Sequence, residues 1–208
     1  MSGDALPYTE HRHFAGRMRS GLESELTTAM ADFDLPDTMR LRPARRPVVG
    51  SAEFRAAMSA MATTVSVVAA RRGNERVGRT VTSVLSLSIT PPAILVSIDI
   101  MSRLADVIAR TGGFSLAMLA EGQQSVAQAF AGQVEPEERF GSTDWTEWPS
   151  GHPLLLGAVS ALDCDVIGSI ETGTHVLFAG AIIEAETTTS RSPLLWQRHH
   201  YQGLTGVD

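Results

Sequence analysis

Lysine is absent from this chain of 208 residues: all 17 of its basic residues are arginine. That excludes a Schiff-base lysine and the pyridoxal phosphate chemistry that depends on one. Cysteine occurs once. Cys164, inside the apolar run Ala161-Leu-Asp-Cys-Asp-Val-Ile, can form no intrachain disulfide and reads as a buried thiol in a reducing, cytoplasmic setting. No C-x-x-C or H-x-x-x-H spacing occurs, and His11, His13, His199 and His200 near the two ends make no familiar metal-ligand set. The G-x-S-x-G elbow of serine hydrolases and the G-x-G-x-x-G dinucleotide fingerprint are also missing, so any nicotinamide must bind outside a Rossmann crevice. No apolar run approaches the roughly 18 residues of a membrane span, and the polar start of the chain predicts neither export nor insertion. A net charge of −6 argues against nucleic acid and anionic membranes as partners, since both reward clustered basic side chains. An anionic ligand would have to be held by local donors.

What is present suffices for one domain with a full core and an appendage. The segment Arg40-Leu-Arg-Pro-Ala-Arg-Arg-Pro cannot continue a helix and reads as a linker, dividing residues 1–50 from a domain at 51–208. Before the linker, Phe14, Met18, Leu22, Leu26, Met30 and Phe33 recur at nearly helical spacing, predicting an amphipathic helix that needs a surface to lie on. After it, Phe54, Ala57, Met58 and Met61 predict a short helix whose apolar stripe covers one end of a sheet as part of the core.

Strand-forming runs follow at Thr64–Ala70, Val77–Ser83, Ala93–Asp99 and Phe114–Leu119, then Ser160–Ile170 and His175–Ala185 joined by a hairpin at Glu171-Thr-Gly-Thr, and a short strand at Leu194–Gln197. Helices are expected at about Leu104–Arg110 and Gln123–Ala131. Consecutive strands with few interleaved helices favour a closed or partly closed antiparallel barrel, because closure removes exposed edges.

Gly78 to Pro92 places six hydroxyl side chains among apolar residues and ends on a proline pair. Such a stretch is either a Thr-rich edge strand with a turn or a strand and loop that grips a polar ligand through neutral donors. His175, at the head of the apolar run His-Val-Leu-Phe-Ala-Gly-Ala-Ile-Ile, is on its own a partly exposed structural residue.

The ordered set Gly78-x-Thr80-x-x-Ser83-x-x-Ser86-x-Ser88-x-x-Pro91-Pro92, Ser102 after Asp99, Phe114-Ser-Leu-Ala-Met-Leu, Ala129-Phe130-Ala131-Gly132, Arg139-Phe140, Gly151-His-Pro, Gly173-Thr-His175 and Pro193-Leu-Leu with Tyr201 resembles the flavin reductases of the FMN-binding split-barrel fold. The resemblance spans roughly 54–204. It implies a mainly β, antiparallel Greek-key split barrel with peripheral helices, an N-terminal helical extension and a homodimeric state. It also implies reduction of FMN or FAD by NADH or NADPH for a partner flavin-dependent monooxygenase. A non-catalytic flavin carrier of the same fold is the alternative.

By position, the resemblance puts Arg79, Thr80, Val81, Thr82 and Ser83 along the isoalloxazine ring. Ser97, Asp99, Ser102 and Arg103 would follow the ribityl chain and phosphate, with Asp99 equally readable as a strand-end cap. Phe130 and Ala131 would close the other side, while His175 and Tyr201 would meet the nicotinamide. Arg79, where relatives are usually neutral, would favour an anionic reduced flavin or project to solvent. Leu104 and Thr174 replace a hydroxyl residue and an aspartate common at these positions.

Overall fold

Side chains that alternate across a strand can feed two cores at once, and the central strands here do so. The computed structural model describes residues 43–141 and 145–204, so the helix expected between Phe14 and Phe33 lies outside the described residues. The first described helix is α1 (Ser51–Ser59). Five strands and a helix follow: β1 (Thr63–Thr64), β2 (Ser66–Arg72), β3 (Glu75–Val81), β4 (Val84–Ile89), β5 (Pro92–Asp99) and α2 (Arg103–Thr111). After β6 (Gly113–Met118) and α3 (Gln124–Gln128), a wide π-type turn covers Ala129–Gln133. The hairpin of β7 (Trp145–Glu147) and β8 (Pro153–Leu155) precedes the long pair β9 (Ser160–Glu171) and β10 (His175–Thr187). Two short strands, β11 (Leu195–Gln197) and β12 (His200–Gln202), complete the described residues.

The main sheet has the order β3-β2-β6-β9-β10-β5-β4, antiparallel at every pairing. Its two edge strands, β3 and β4, are consecutive in the chain and joined only by Thr82 and Ser83. Laid flat, seven strands would set their edges about 29 Å apart, whereas the link from Val81 to Val84 reaches about 10 Å. The sheet must therefore curl until its edges meet at Thr82-Ser83, which yields the split barrel expected from the run of strands.

Inside the barrel, Val68 and Ala70 of β2, Val96 and Ile98 of β5, Phe114 and Leu116 of β6 and Phe178 of β10 pack with Leu104, Val107 and Ile108 of α2. Fully burying each large apolar side chain contributes about 1.5–3 kcal/mol. The opposite face of β2 and β6, through Val67, Ala69 and Ala117, forms a second core with Val126, Phe130, Phe140, Leu155 and Leu194. Gly180 on β10 shows how tightly the first core is filled: a Cβ there would lie 2.6 Å from the Phe114 ring.

Two expectations change. The stripe of Phe54 and Met58 on α1, with Met61 just past its end, is not core, for α1 buries none of its residues and these three residues are about half exposed. Helical spacing reveals a face that wants covering but not what covers it. The stretch after Ser83, read as loop, is the edge strand β4, with Leu85, Leu87 and Ile89 exposed and a register shift between Ser86 and Ser88. Cys164 is buried as expected, its thiol pushed up to about 12 chiefly by burial and further by Asp163 and Asp165, which leaves it unreactive.

His152 of the Gly-His-Pro motif is also buried, accepting at Nδ1 from the Arg71 N–H (3.4 Å) and lying against Gly113. Burial lowers its pKa below the ordinary 6.5, against the pull of Asp163 and Asp165. Between the two values the unfolded chain binds more protons, so this contribution to stability is complete above the unfolded value and is lost as pH falls. Asp163, raised by burial, works with the opposite sign at lower pH. Chemical denaturation at stepped pH should show the stability advantage of the wild type over His152→Gln shrinking as pH drops below 6.5. A constant gap would remove His152 from the pH response. Gly180→Ala should cost about 1–3 kcal/mol in the same assay through overpacking against Phe114.

Candidate functional site

At the seam where the barrel closes, reciprocal bonds tie the β3–β4 link to β5 and continue the β4–β5 ladder. Ser83 Oγ donates to the Ser97 carbonyl at 3.1 Å, and the Ser97 N–H donates to the Ser83 carbonyl at 3.2 Å. Thr82 and Ser83 are exposed beside the half-buried Ser97, so neutral hydroxyls and backbone groups line an accessible strip. Directly upstream, Val81 turns into the barrel core, and the Thr80 hydroxyl donates to the Ala127 carbonyl at 2.7 Å, tying β3 to α3. Those two positions support the strip from below.

Along β5 the strip leads to Asp99, which pairs in register with His175 at the start of β10. The Asp99 carboxylate accepts from the Met101 N–H at 2.8 Å, and its carbonyl accepts from the Ser102 hydroxyl at 2.7 Å. Asp99 thus caps the end of β5. Ser102 is the N-cap of α2, with Oγ accepting from the Ala105 N–H at 3.2 Å, while Gly112 ends that helix in the left-handed region at φ +73°. Both ends of α2 are fixed, and Arg103 starts its first turn.

Arg103 is already engaged. Its guanidinium donates to both Glu75 oxygens, at 2.8 and 2.6 Å, and also to Asp106. This fork holds the Glu75 carboxyl below the usual carboxylate range and raises Arg103. Beyond it opens a cavity of about 600 Å³ between β3, the start of α2 and the 136–140 turn, which brings Arg79, Ser102 and Arg103 together. Arg76, Arg139 and Phe140 line it as well. Sequence reasoning assigned these three no role; the available signal was a lysine-free chain that places Arg71, Arg72, Arg76 and Arg79 around one hairpin.

Phe130 sits in the second core, 4.9 Å from Phe140 and 5.4 Å from Trp145 between ring centroids. A Cβ on Gly78 would meet its ring at 2.6 Å, so Phe130 supports β3 from behind, whereas Ala131 is exposed. His175 is exposed, with Nδ1 3.0 Å from the Thr174 hydroxyl. Tyr201 lies on the separate sheet β1-β11-β12, its ring 4.8 Å from Trp196 and its hydroxyl pKa raised by partial burial. The two nicotinamide candidates therefore occupy different sheets of one protomer.

These surroundings suit a flavin. A neutral hydroxyl strip matches a heterocycle and sugar chain, and arginines at one end match a phosphate. Among the described residues, no three His, Cys, Asp or Glu side chains are grouped to hold a metal, and no helix is long and apolar enough to cross a membrane.

Comparison with known proteins agrees with this chemistry. The chain is 32% identical over 165 residues to "FMN reductase (NADH) RutF" of Ancylobacter novellus, an alignment covering 79% of this chain and 91% of that protein. It is 33% identical over 150 residues to the reductase component of the FADH(2)-dependent resorcinol hydroxylase of a Rhizobium species, covering 71% and 84%. The solved NADH:FAD oxidoreductase SgcE6 of Streptomyces globisporus superposes with a TM-score of 0.71 at 27% identity, covering 79% of this chain and all of that one. With the flavin reductase like domain matched across residues 58–205, the chain belongs to that family.

Proposed function

We propose that this protein is a flavin reductase that oxidises NADH and delivers reduced FMN or FAD to a separate flavin-dependent monooxygenase. The observation that carries this reading is the continuous run from the hydroxyl strip at Thr82-Ser83, through Ser97, to Asp99 paired with the exposed His175. The names of the relatives support it, NADH being the donor they specify. Residues 51–208 are the reductase domain, with 1–50 an appended arm.

A bound flavin supplies the hydride acceptor, so the chain needs no nucleophile and no general acid of its own. Its task is positioning. Thr82, Ser83 and the neighbouring backbone N–H groups offer donors to the ring's oxygen-bearing edge, where negative charge accumulates on reduction. Ser97, Ser102 and Arg103 follow the polar tail. The Thr174 hydroxyl engages Nδ1 of His175, leaving Nε2 to hydrogen-bond the nicotinamide carboxamide.

Exposed apolar side chains on α1 and on the edge strand β4 support a homodimer, since both faces lack a cover within one protomer. A partner copy is the occupant that the family resemblance implies.

Mixed anaerobically with FMN or FAD, the protein should bleach the flavin band on addition of NADH. A flavin spectrum that shifts on binding yet ignores the nucleotide would instead assign the carrier role. His175→Ala should raise the KM for NADH several-fold, the loss of one hydrogen bond of about 0.5–1.5 kcal/mol, while leaving flavin affinity nearly unchanged. Equal losses of both would contradict the assignment of His175. In sedimentation velocity the wild type should run as a dimer, and Leu87→Asp on β4 should shift it toward monomer; a monomeric wild type would refute the interface.

A further inference from the structure

The turn between β9 and β10 fixes the backbone of His175 closely. Thr172 donates twice to the His175 carbonyl, from its N–H at 2.8 Å and from its hydroxyl at 3.0 Å, and Gly173 permits the turn at φ +89°. On the other flank the Ile100 N–H donates to the Thr174 carbonyl at 3.1 Å, and His175 pairs in register with Asp99. With the backbone held, the state of the exposed imidazole is set by what meets its two ring nitrogens.

Among the described residues, the Thr174 hydroxyl, 3.0 Å from Nδ1, is the sole hydrogen-bond partner of the ring, and the ring is the sole partner of that hydroxyl. The charged groups on the flanking elements are Asp99 on β5, whose carboxylate accepts from the Met101 N–H, Glu171 at the end of β9, opposite Val176, and Arg103 beyond the β5–α2 turn, forked onto Glu75. None of them forms a hydrogen bond with the imidazole.

A hydroxyl both donates and accepts, and it rotates to suit its neighbour. It can donate to Nδ1 of the neutral ring and accept from the Nδ1–H of the protonated one, so the proton on Nε2 stays in place in both states. A carbonyl oxygen in front of Nε2 selects that tautomer at no loss on the Nδ1 side, because the hydroxyl reverses its role. An ionised carboxylate at the same position only accepts. It would demand a proton on Nδ1 at all times, and the neutral ring would then turn a lone pair outward from Nε2.

We infer that Thr174 is a positioning residue that keeps Nε2 of His175 a donor to the carbonyl oxygen of the nicotinamide carboxamide in both protonation states of the ring, so that recognition of the hydride donor stays level as the imidazole titrates. Thr174 acts through His175 and touches no reacting atom. The inference rests on the reductase reading above and names the carboxamide atom that His175 recognises.

The test is calorimetry of the full chain, saturated with FMN, against tetrahydro-NAD, an NADH analogue that keeps the carboxamide and transfers no hydride, at stepped pH between about 5 and 8, where an imidazole titrates. The wild type should hold its affinity within about threefold across that range, and Thr174→Ser should match it. Thr174→Asp should bind about tenfold more weakly at the upper end and recover as pH falls, because protonation returns the donor to Nε2. Adding His175→Gln to Thr174→Asp should abolish that step, since an amide does not titrate. Thr174→Val, which leaves Nδ1 without a partner, should weaken binding by about two- to tenfold, with FMN affinity by fluorescence titration unchanged. A wild-type affinity that falls steeply through the titration, or a Thr174→Asp profile as level as that of the wild type, would overturn the inference while leaving the reductase reading intact. An FMN-loaded protein that ignores the analogue at every pH would take on the carrier role, ending both.

Discussion

The site depends on one covalent constraint: neighbours in the chain, β3 and β4, are the two outer edges of a seven-stranded sheet. Because two residues bridge them, curling of the sheet, closure of the barrel and exposure of Thr82 and Ser83 are a single event. A strand that ends at a closing seam cannot complete its ladder with a neighbour on both sides. The groups left over there are backbone N–H and carbonyl groups and short hydroxyls, the donors a neutral heterocycle needs. The bonds between Ser83 and Ser97 continue the β4–β5 ladder into the link, which fixes the link against β5.

The second requirement is that the strip be rigid, and the two cores meet it from opposite sides. Val81 anchors the link into the barrel, while Gly78 lets the Phe130 ring press against the back of β3, with no room for a side chain between them. Phe130, Phe140 and Trp145 form one aromatic cluster, and Arg76 rests on its edge. The aromatic residues around the site therefore hold its walls in place. Positioning chemistry gains from such support, because hydride transfer depends on how two rings are held and not on a reactive side chain.

Much of this was legible in the sequence, for identifiable reasons. The apolar strands are legible by length and composition, and α2 by its helical pattern at about Leu104–Arg110, whose ends the structure places at the Ser102 and Gly112 caps. The closure of the barrel was legible only as a preference, because strand order is a long-range property that no local pattern carries. Strand β4 escaped notice because its serines alternate with leucines that face away from the protomer, so its pattern resembles a polar loop as much as an edge. The three-residue strands β7, β8 and β12 are too short to leave a period. The α1 stripe was read correctly as apolar and wrongly as core, since spacing records the wish for burial and says nothing of the partner.

The site residues divide along the same line. Thr82, Ser83, Ser97 and His175 are proposed for the site on the ordered family resemblance, since a lone hydroxyl or histidine is chemically ambiguous. The resemblance could not say which neighbours of those positions are already committed to the fold, and coordinates separate them: the Thr80 hydroxyl holds α3, Asp99 caps a strand end, and Arg103 is forked onto Glu75. Arg76 and Arg139, by contrast, lie 63 positions apart in the chain and converge only because the 136–140 turn crosses β3. Charge clusters of that kind arise from topology. With no lysine in the chain, the cationic side chains of the cavity between β3 and the start of α2 are all planar guanidiniums, able to bridge two oxygens, as Arg103 does with Glu75, or to lie over a ring, as Arg76 does with Phe140.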